Sequence, residues 1–172
     1  MVIIEESNMR FGEYAPEDVF RIEKCNVYEH YMNPIGFKTC EFVLRRNESL
    51  YFVEAKESSP HKIEADVSKE KAEKYHKYIQ DIVCKMRDSL ALYASILLKR
   101  HENESLPQNL AAQDWSCAEI NCLLVVKKAK KEWGVDLRDK LNSAVKKERR
   151  AWKIKDFYVL NEAQARSKQF IL

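Results

Sequence analysis

The chain has 172 residues, of which 45% are hydrophobic and 33% are charged, and its formal net charge is +3. This length suits one domain with a proper core, and the mild positive charge permits nucleic-acid binding without indicating it. The five cysteines include no CxxC pair, which argues against a disulfide framework or a zinc ribbon. The N-terminus lacks a secretory signal and no apolar run reaches ~18 residues, so we expect a cytoplasmic protein that does not span a membrane.

The first half of the chain is predicted to lead into a β-hairpin. Residues 2–13 are compatible with a strand or a short helix. Pro16 and the acids after it indicate a helix entry, and the apolar pattern suggests a helix to about residue 32. Two β-rich segments, 37–45 and 50–56, follow on either side of a polar loop.

The second half is predicted to alternate helices with strands. Residues 61–66 are expected to be a loop, and a long helix follows over residues 68–100, with residues 90–98 deeply buried. The apolar run 120–126 predicts a central strand covered on both faces. A helix over 135–154, a short strand over 157–160 and a final helix over 162–168, capped by Asn161, complete an α/β domain with a mixed central sheet flanked by helices.

The strand over residues 50–56 carries two charges at its end. Side chains alternate along a strand, so Leu50, Phe52, Glu54 and Lys56 share one face. Both faces of this strand begin with apolar residues, which predicts a place in the interior of the sheet. Burying two charges there is costly unless they are paired or bind an ion.

The hairpin brings a further acid to the same place. A turn centred between Asn47 and Glu48 places Glu41 opposite Glu54, where Cβ atoms of opposed residues are only ~5 Å apart. Two carboxylates at that distance repel each other unless one is protonated or a cation lies near them. A hard divalent ion such as Mg²⁺ takes oxygen ligands and suits this geometry. The alternative is a solvent-facing strand on which these are ordinary polar residues.

The segment from Glu23 to Lys56 resembles the PD-(D/E)xK, or restriction endonuclease-like, superfamily, and in particular its small bacterial members. Glu41 would match the first acid of that pattern, Glu54-Ala55-Lys56 would match (D/E)xK, and Glu23 in FRIEKC would match a helix glutamate. Weaker matches for this last residue are Glu17 and Glu29. The family's first acid is usually aspartate, commonly after proline, so Glu41 after Cys40 departs from the pattern and puts the metal geometry in question.

The resemblance implies a fold, a chemistry and a set of roles. It implies a single restriction endonuclease-like domain over residues 1–172 that hydrolyses phosphodiester bonds in DNA, with RNA the weaker candidate, using Mg²⁺ or Mn²⁺. Glu41, Glu54 and the Ala55 carbonyl would hold the metal, Lys56 would position the attacking water, and Glu23 would orient metal or water. The alternative is a non-catalytic module of the same fold that binds a protein or a nucleic acid. A homodimer is a further expectation.

Two basic stretches are candidates for contacts with a phosphate backbone. They are residues 127–131 (KKAKK) and residues 146–150 (KKERR). A solvated helix face or loop is an equally good interpretation of each.

Overall fold

The computed structural model describes residues 1–60 and 68–172, and the predicted loop over residues 61–66 lies outside the described residues. In these described ranges, seven strands form a two-stranded hairpin and a five-stranded mixed sheet. The hairpin consists of β1 (Val2–Glu6) and β2 (Met9–Tyr14). The sheet consists of β3 (Val19–Phe20), β4 (Phe42–Arg46), β5 (Ser49–Lys56), β6 (Glu119–Val126) and β7 (Asp156–Asn161).

The strands of the five-stranded sheet lie in chain order. The pairs β3–β4 and β4–β5 are antiparallel, whereas β5–β6 and β6–β7 are parallel. The helices are α1 (Lys69–Leu97), α2 (Gln108–Ala111), α3 (Lys131–Ala144), α4 (Lys146–Trp152) and α5 (Glu162–Ser167). The predicted α/β class, with a mixed sheet flanked by helices, is therefore confirmed. Among the described helices, none combines the length and the apolar character needed to span a bilayer.

Each face of the sheet covers its own apolar cluster. The side chains of Phe52 and Leu124 pack with helix α1 on one face, whereas Val53 and Leu123 pack with the β1–β2 hairpin and α5 on the other. The predicted alternation of β5 and the interior position of β6 are both confirmed. Side chains buried on both faces explain why β6 reads as a continuous apolar run.

The predicted helix over residues 15–32 is wrong for most of its length. The segment contains 3₁₀ turns at Pro16–Asp18 and Ile22–Lys24 and becomes helical only around Tyr28–Met32, as a π-helix. Between the turns, β3 adds to the sheet edge, and its two side chains pack into opposite clusters. Burial of alternate residues on two faces requires extended backbone, so the sheet contact overrides the helical pattern.

Two further predictions need correction. The helix predicted over residues 135–154 begins earlier and breaks at Val145, which caps α3 and precedes α4. The break lets Arg149 donate to the carbonyls of Ile154 and Lys155 ahead of β7. In the stretch predicted to be buried, Leu98 is 71% exposed because α1 ends at the residue before it.

The structure of the two terminal segments decides between the alternatives for residues 2–13 and confirms the predicted cap at Asn161. Residues 2–13, for which strand and short helix were both open, form the β1–β2 hairpin. At the other end, the Asn161 side chain accepts from the amide of Gln164, whose own side chain accepts from the Asn161 amide, as in a capping box. This confirms the predicted cap of α5.

Candidate functional site

The predicted register of the β4–β5 hairpin is confirmed. Phe42 pairs with Val53, and the amide of Glu41, directly before β4, donates to the Val53 carbonyl over 3.0 Å. Glu41 is buried and Glu54 is fully buried on the face of the sheet that packs on α1, while the side chain of Lys56 remains 29% exposed. The strand therefore carries its charges from the core to the surface within three residues.

A lysine from helix α1 contacts both acids. The Nζ atom of Lys85 lies 2.8 Å from Oε1 and 3.0 Å from Oε2 of Glu54, and 3.7 Å from Oε1 of Glu41. The sequence predicted that the two carboxylates would repel each other in the absence of metal. That expectation stays a prediction, and the Lys85 ammonium supplies a cation near both carboxylates.

Glu54 is held by two lysines at once. The Nζ atom of Lys56 lies 2.7 Å from Glu54 Oε1, which also faces Lys85. This buried oxygen nevertheless accepts no hydrogen bond of good geometry from the described residues, whereas Oε2 accepts one from Lys85. Because both lysine Nζ atoms lie within 3 Å of Oε1, the contact is an ion pair. It leaves the hydrogen-bonding capacity of this oxygen incompletely used.

Glu23 joins the site from the 3₁₀ turn before the π-helical segment. Carboxylate oxygens of Glu6, Glu23 and Glu41 all lie within 4.8 Å of one another. Arg21 donates to Glu6 over 2.7 Å and to Glu23 over 3.2 Å. The acids and lysines thus form one continuous cluster, and Glu6, Glu23, Glu41, Glu54, Lys56 and Lys85 are called the acid–lysine cluster below.

Burial and mutual repulsion place protons on part of this cluster. Burial, the hydrogen bond with Glu23 and the charge of Glu54 raise the pKa of Glu41 to about 9, against the opposing effect of Lys85. Burial also raises the pKa of Glu54, and burial followed by the charge of Glu23 raises that of Glu6. Burial is the largest effect on Glu23 and acts to raise its pKa, but the hydrogen bonds from Glu41 and Glu6 and the charges of Lys24 and Arg21 together lower the pKa below its usual value. Glu23 therefore accepts a hydrogen bond as the carboxylate, and Glu41 is the neighbour that holds a proton at neutral pH.

The charge of Lys85 is secured by its partners. Burial by itself would lower the pKa of this lysine, but the carboxylates of Glu54 and Glu41 outweigh that effect and raise it. The cluster is thus a set whose members stabilise one another's ionisation states.

The remaining predicted site residues divide into two groups. Ala55 is buried with its side chain in the cluster that faces the β1–β2 hairpin, and its carbonyl as a metal ligand stays a prediction. The weaker candidates Glu17 and Glu29 are exposed and are not members of the group of three carboxylates. Of the helix glutamates considered, the structure brings Glu23 to the site.

Sequence reasoning missed Lys85 and Glu6. Lys85 was detectable, because it falls in phase with the buried positions Ile82, Met86 and Ser89 on α1, where a lone lysine needs a partner. Glu6 gave no such signal. It reaches the site because the β1–β2 hairpin packs on the sheet, which is a long-range contact that no local pattern encodes.

Solvent reaches the cluster from one side. The side chains of Glu6, Glu23 and Lys56 are partly exposed, whereas Glu54 is sealed beneath them. A surface recess of about 640 Å³ lies at the ends of β6 and β7 and is lined by Lys127, Asn161 and Arg166 among others, without any residue of the cluster. The chemistry of the side chains, rather than the depth of a cavity, identifies the candidate site.

Comparisons with known proteins supply no relative. No family model matches the chain, and searches of curated proteins and of solved structures each returned no match.

Proposed function

We propose that this chain is a divalent-metal-dependent nuclease with a restriction endonuclease-like core, acting on phosphodiester bonds in DNA. The observation that carries the proposal is the convergence of Glu23, Glu41, Glu54 and Lys56, which were selected from the sequence. Lys85 contacts Glu41 and Glu54, Lys56 contacts Glu54, and Glu23 lies next to Glu41. The order of antiparallel and parallel strands around β5 is compatible with that core.

The carboxylates suit a hard cation. Mg²⁺ binds oxygens at ~2.1 Å, so oxygens that share one ion lie at most ~4 Å apart. The oxygens of Glu6, Glu23 and Glu41 lie within 4.8 Å of one another, so small side-chain movements bring them into range. A cation there would replace the protons that now relieve repulsion between these acids.

Two sets of ligands are therefore in competition. The set predicted from the sequence is Glu41, Glu54 and the Ala55 carbonyl, but Lys85 now faces both of those carboxylates. The second set is Glu6, Glu23 and Glu41, with Glu41 common to both. The incompletely used Oε1 of Glu54 favours the first set, and the closeness of the three carboxylates favours the second. In the second set a bound ion would compete with Arg21, which contacts Glu6 and Glu23.

The roles of the protein groups follow from exposure and charge. A bound Mg²⁺ would polarise a phosphoryl oxygen and acidify a water. Lys56, held by Glu54 and partly exposed, would place its ammonium against the developing negative charge of the phosphate. Glu23, whose low pKa keeps it ionised, would accept a hydrogen bond from the attacking water and orient it.

A specific observation favours the alternative function. Lys85 already neutralises the two acids that the sequence assigns to the metal, as expected of a module that keeps the fold without cleaving. In that case the cluster is a buried ion-pair network, and the protein binds a protein or a nucleic acid.

Metal titration and cleavage assays separate these functions. Wild-type protein should melt at higher temperature with Mg²⁺ or Mn²⁺ than with EDTA, and should cleave DNA only with metal. Glu41→Gln should abolish the metal-induced rise, while Glu6→Gln and Glu54→Gln show which set of ligands is used. Lys56→Ala should retain metal binding and lose cleavage.

The matched control is Glu17→Gln, which neutralises an exposed glutamate outside the cluster. It should behave like wild type in both assays. A wild-type melting temperature that ignores both metals, together with no cleavage, would overturn the nuclease proposal in favour of the non-catalytic module.

A further inference from the structure

One edge of the sheet gathers charges that the acid–lysine cluster does not use. The last residues of three parallel strands, Lys56, Val126 and Asn161, are in register across this edge. Neighbouring strands lie ~4.8 Å apart, so the ends of β5 and β7 are separated by ~10 Å. Anything bound beside Lys56 at this edge therefore also passes the segment that follows β6.

That segment, residues 127–130, is fixed to the strand that carries the site. The amides of Lys127 and Lys128 donate to the carbonyls of Lys56 and Glu57, each over 2.9 Å. The Lys127 ammonium also donates to the Asn8 carbonyl over 2.6 Å, two residues beyond Glu6. The loop is thus anchored to the end of β5 by main-chain hydrogen bonds and to the β1–β2 turn by the Lys127 side chain.

The charge at this edge is positive. Lys127 and Arg166 line the recess of about 640 Å³, together with Asn161, Ser167 and the acid Glu162. Arg166 pairs with Glu162 over 3.4 Å at the exposed surface, a contact of little strength.

Two more lysines extend the same surface. Lys128 pairs with the exposed Glu57, and Lys130 lies over the ring of Trp133, with its Nζ 5.2 Å from the ring centroid. Four cations at this edge therefore face two acids. This excess of positive charge suits a linear anion that carries several negative charges.

We infer that residues 127–130 and Arg166 form the surface that holds the phosphodiester backbone of a nucleic acid beside the acid–lysine cluster. This inference rests on the proposed function and names the partner of that site. At ~3.4 Å of helix axis per nucleotide, the ~10 Å between the ends of β5 and β7 corresponds to about three nucleotides. Lysines act as point charges for phosphates and arginine can bind them through two donors, and neither contact reads the base sequence.

The second basic stretch, residues 146–150, is not part of this surface. Its Arg149 donates to the carbonyls of Ile154 and Lys155, ahead of the first residues of β7, and so lies at the opposite edge of the sheet. Lys146 and Lys147 are exposed there. They provide a control of equal charge that is remote from the proposed surface.

Binding is measured without metal, so that no cleavage is required. The probes are a short labelled DNA duplex, the same DNA as a single strand, and the matching RNA strand, each in EDTA over a range of salt concentrations. Wild-type protein should bind at least one probe, more weakly as salt rises. Lys127→Gln/Arg166→Gln should weaken binding and lower the slope of log K against log salt by about 2 for duplex or about 1.4 for single strands.

Two further variants keep the test decisive. Lys146→Gln/Lys147→Gln should bind with the wild-type slope. Lys128→Gln/Lys130→Gln leaves the Lys127 contact with the β1–β2 turn in place and should weaken binding in the same way if the first variant does not fold. The inferred binding surface would be wrong if wild-type protein bound no probe or if its binding did not change with salt. It would also be wrong if the control variant lost as much binding as the surface variants.

The result is separable from the proposed function. If the surface variants lose binding as expected but metal supports no cleavage by wild type, the nuclease proposal fails and the surface stands. If wild type cleaves DNA and the surface variants bind it unchanged, the surface fails and the nuclease proposal stands.

Discussion

Strand β5 and helix α1 pack against each other twice, by opposite means. At one contact Phe52 meets Tyr93 edge to face, with ring centroids 5.6 Å apart. Two residues further along the same face of the strand, Glu54 meets Lys85 at 2.8 Å. The same two elements therefore supply an apolar contact and a buried ion pair side by side.

The difference lies in how each contact depends on its partners. An apolar side chain keeps most of its burial when one neighbour is trimmed, and the loss is confined to the cavity left behind. A buried charge that loses its partner keeps its desolvation cost without compensation, so the pair is stable only as a set. The apolar contact holds the fold, while the charged contact is retained at a cost, as is expected where a site must be kept charged.

The largest expected effect comes from placing a charge in the apolar half. Leu90 is fully buried in the cluster around α1, so Leu90→Asp should leave no stable folded state, with a loss above ~5 kcal/mol. Leu98→Asp, at the exposed position after the same helix, should change stability by less than ~0.5 kcal/mol. Urea unfolding of both proteins checks the contrast, and a cooperative wild-type transition in Leu90→Asp would contradict this layout.

The next largest effect comes from removing a charge from the charged half. Lys85→Met keeps the length of the side chain but leaves Glu54 and Glu41 without the ammonium between them. We expect a loss of about 3 kcal/mol in the free energy of unfolding at neutral pH. The measurement is urea unfolding beside Lys77→Met, an exposed lysine on the same helix, which should be close to wild type.

A double variant shows whether the loss comes from an unpaired charge. Adding Glu54→Gln to Lys85→Met removes the buried carboxylate that Lys56 alone would then face, and should restore at least half of the lost stability. If the double variant is less stable than either single variant, the loss comes from packing and the comparison of the two contacts fails.

The sequence predicted the parts of this arrangement that depend on local order. The alternation in residues 50–56 and the turn after Arg46 were enough to place Glu54 and Lys56 on one face and to bring Glu41 next to Glu54. The continuous apolar run was enough to place β6 inside the sheet. These features are decided within a few residues, where side-chain period and turn position leave little freedom.

The parts that the sequence did not predict depend on distant elements. β3 was read as helix because its pairing with β4 is decided by what the sheet edge can bury, and Glu6 enters the cluster only through the packing of a separate hairpin. Lys85 lies between these cases, since its position on the buried stripe of α1 was visible but its partners were not. The convergence of Glu23 with Glu41 required the turn at Ile22–Lys24 rather than the predicted helix.

A smaller effect is expected from pH. The pKa of Glu41 is raised to about 9 in the folded protein from an ordinary value of 4.5. Between these values the unfolded chain has lost the proton that the folded protein retains, so the free energy of unfolding falls as pH rises. Glu54, whose pKa is also raised, contributes in the same direction.

The variant Glu41→Gln isolates this contribution. Its neutral amide does not titrate, so its stability relative to wild type should improve between about pH 5.5 and about pH 7, by about 2 kcal/mol. Urea unfolding at both pH values measures the change, with Glu17→Gln as the control that should show none. A constant difference between Glu41→Gln and wild type would mean that Glu41 is ionised in the folded protein.

The smallest effect is expected from an ion pair that is exposed to solvent, unlike the buried pair of Lys85 and Glu54. Lys74 and Glu70 lie on α1 at the i,i+4 spacing with Nζ and Oε1 2.6 Å apart, which is shorter than the contact of Lys85 with Glu54, yet their side chains are 69% and 74% exposed. Water screens both charges whether or not they meet, so Lys74→Met should cost only ~0.3–0.5 kcal/mol, and less at high salt.

Urea unfolding at low and high salt, run beside Lys85→Met, compares two lysines of one helix at nearly equal distances from a carboxylate. The two losses should differ several-fold and only the exposed pair should be lost in salt, because burial rather than distance decides what each pair contributes. Equal losses would mean that the interior around Glu54 is as well solvated as the surface, and the acid–lysine cluster would then have no special means of holding its charge.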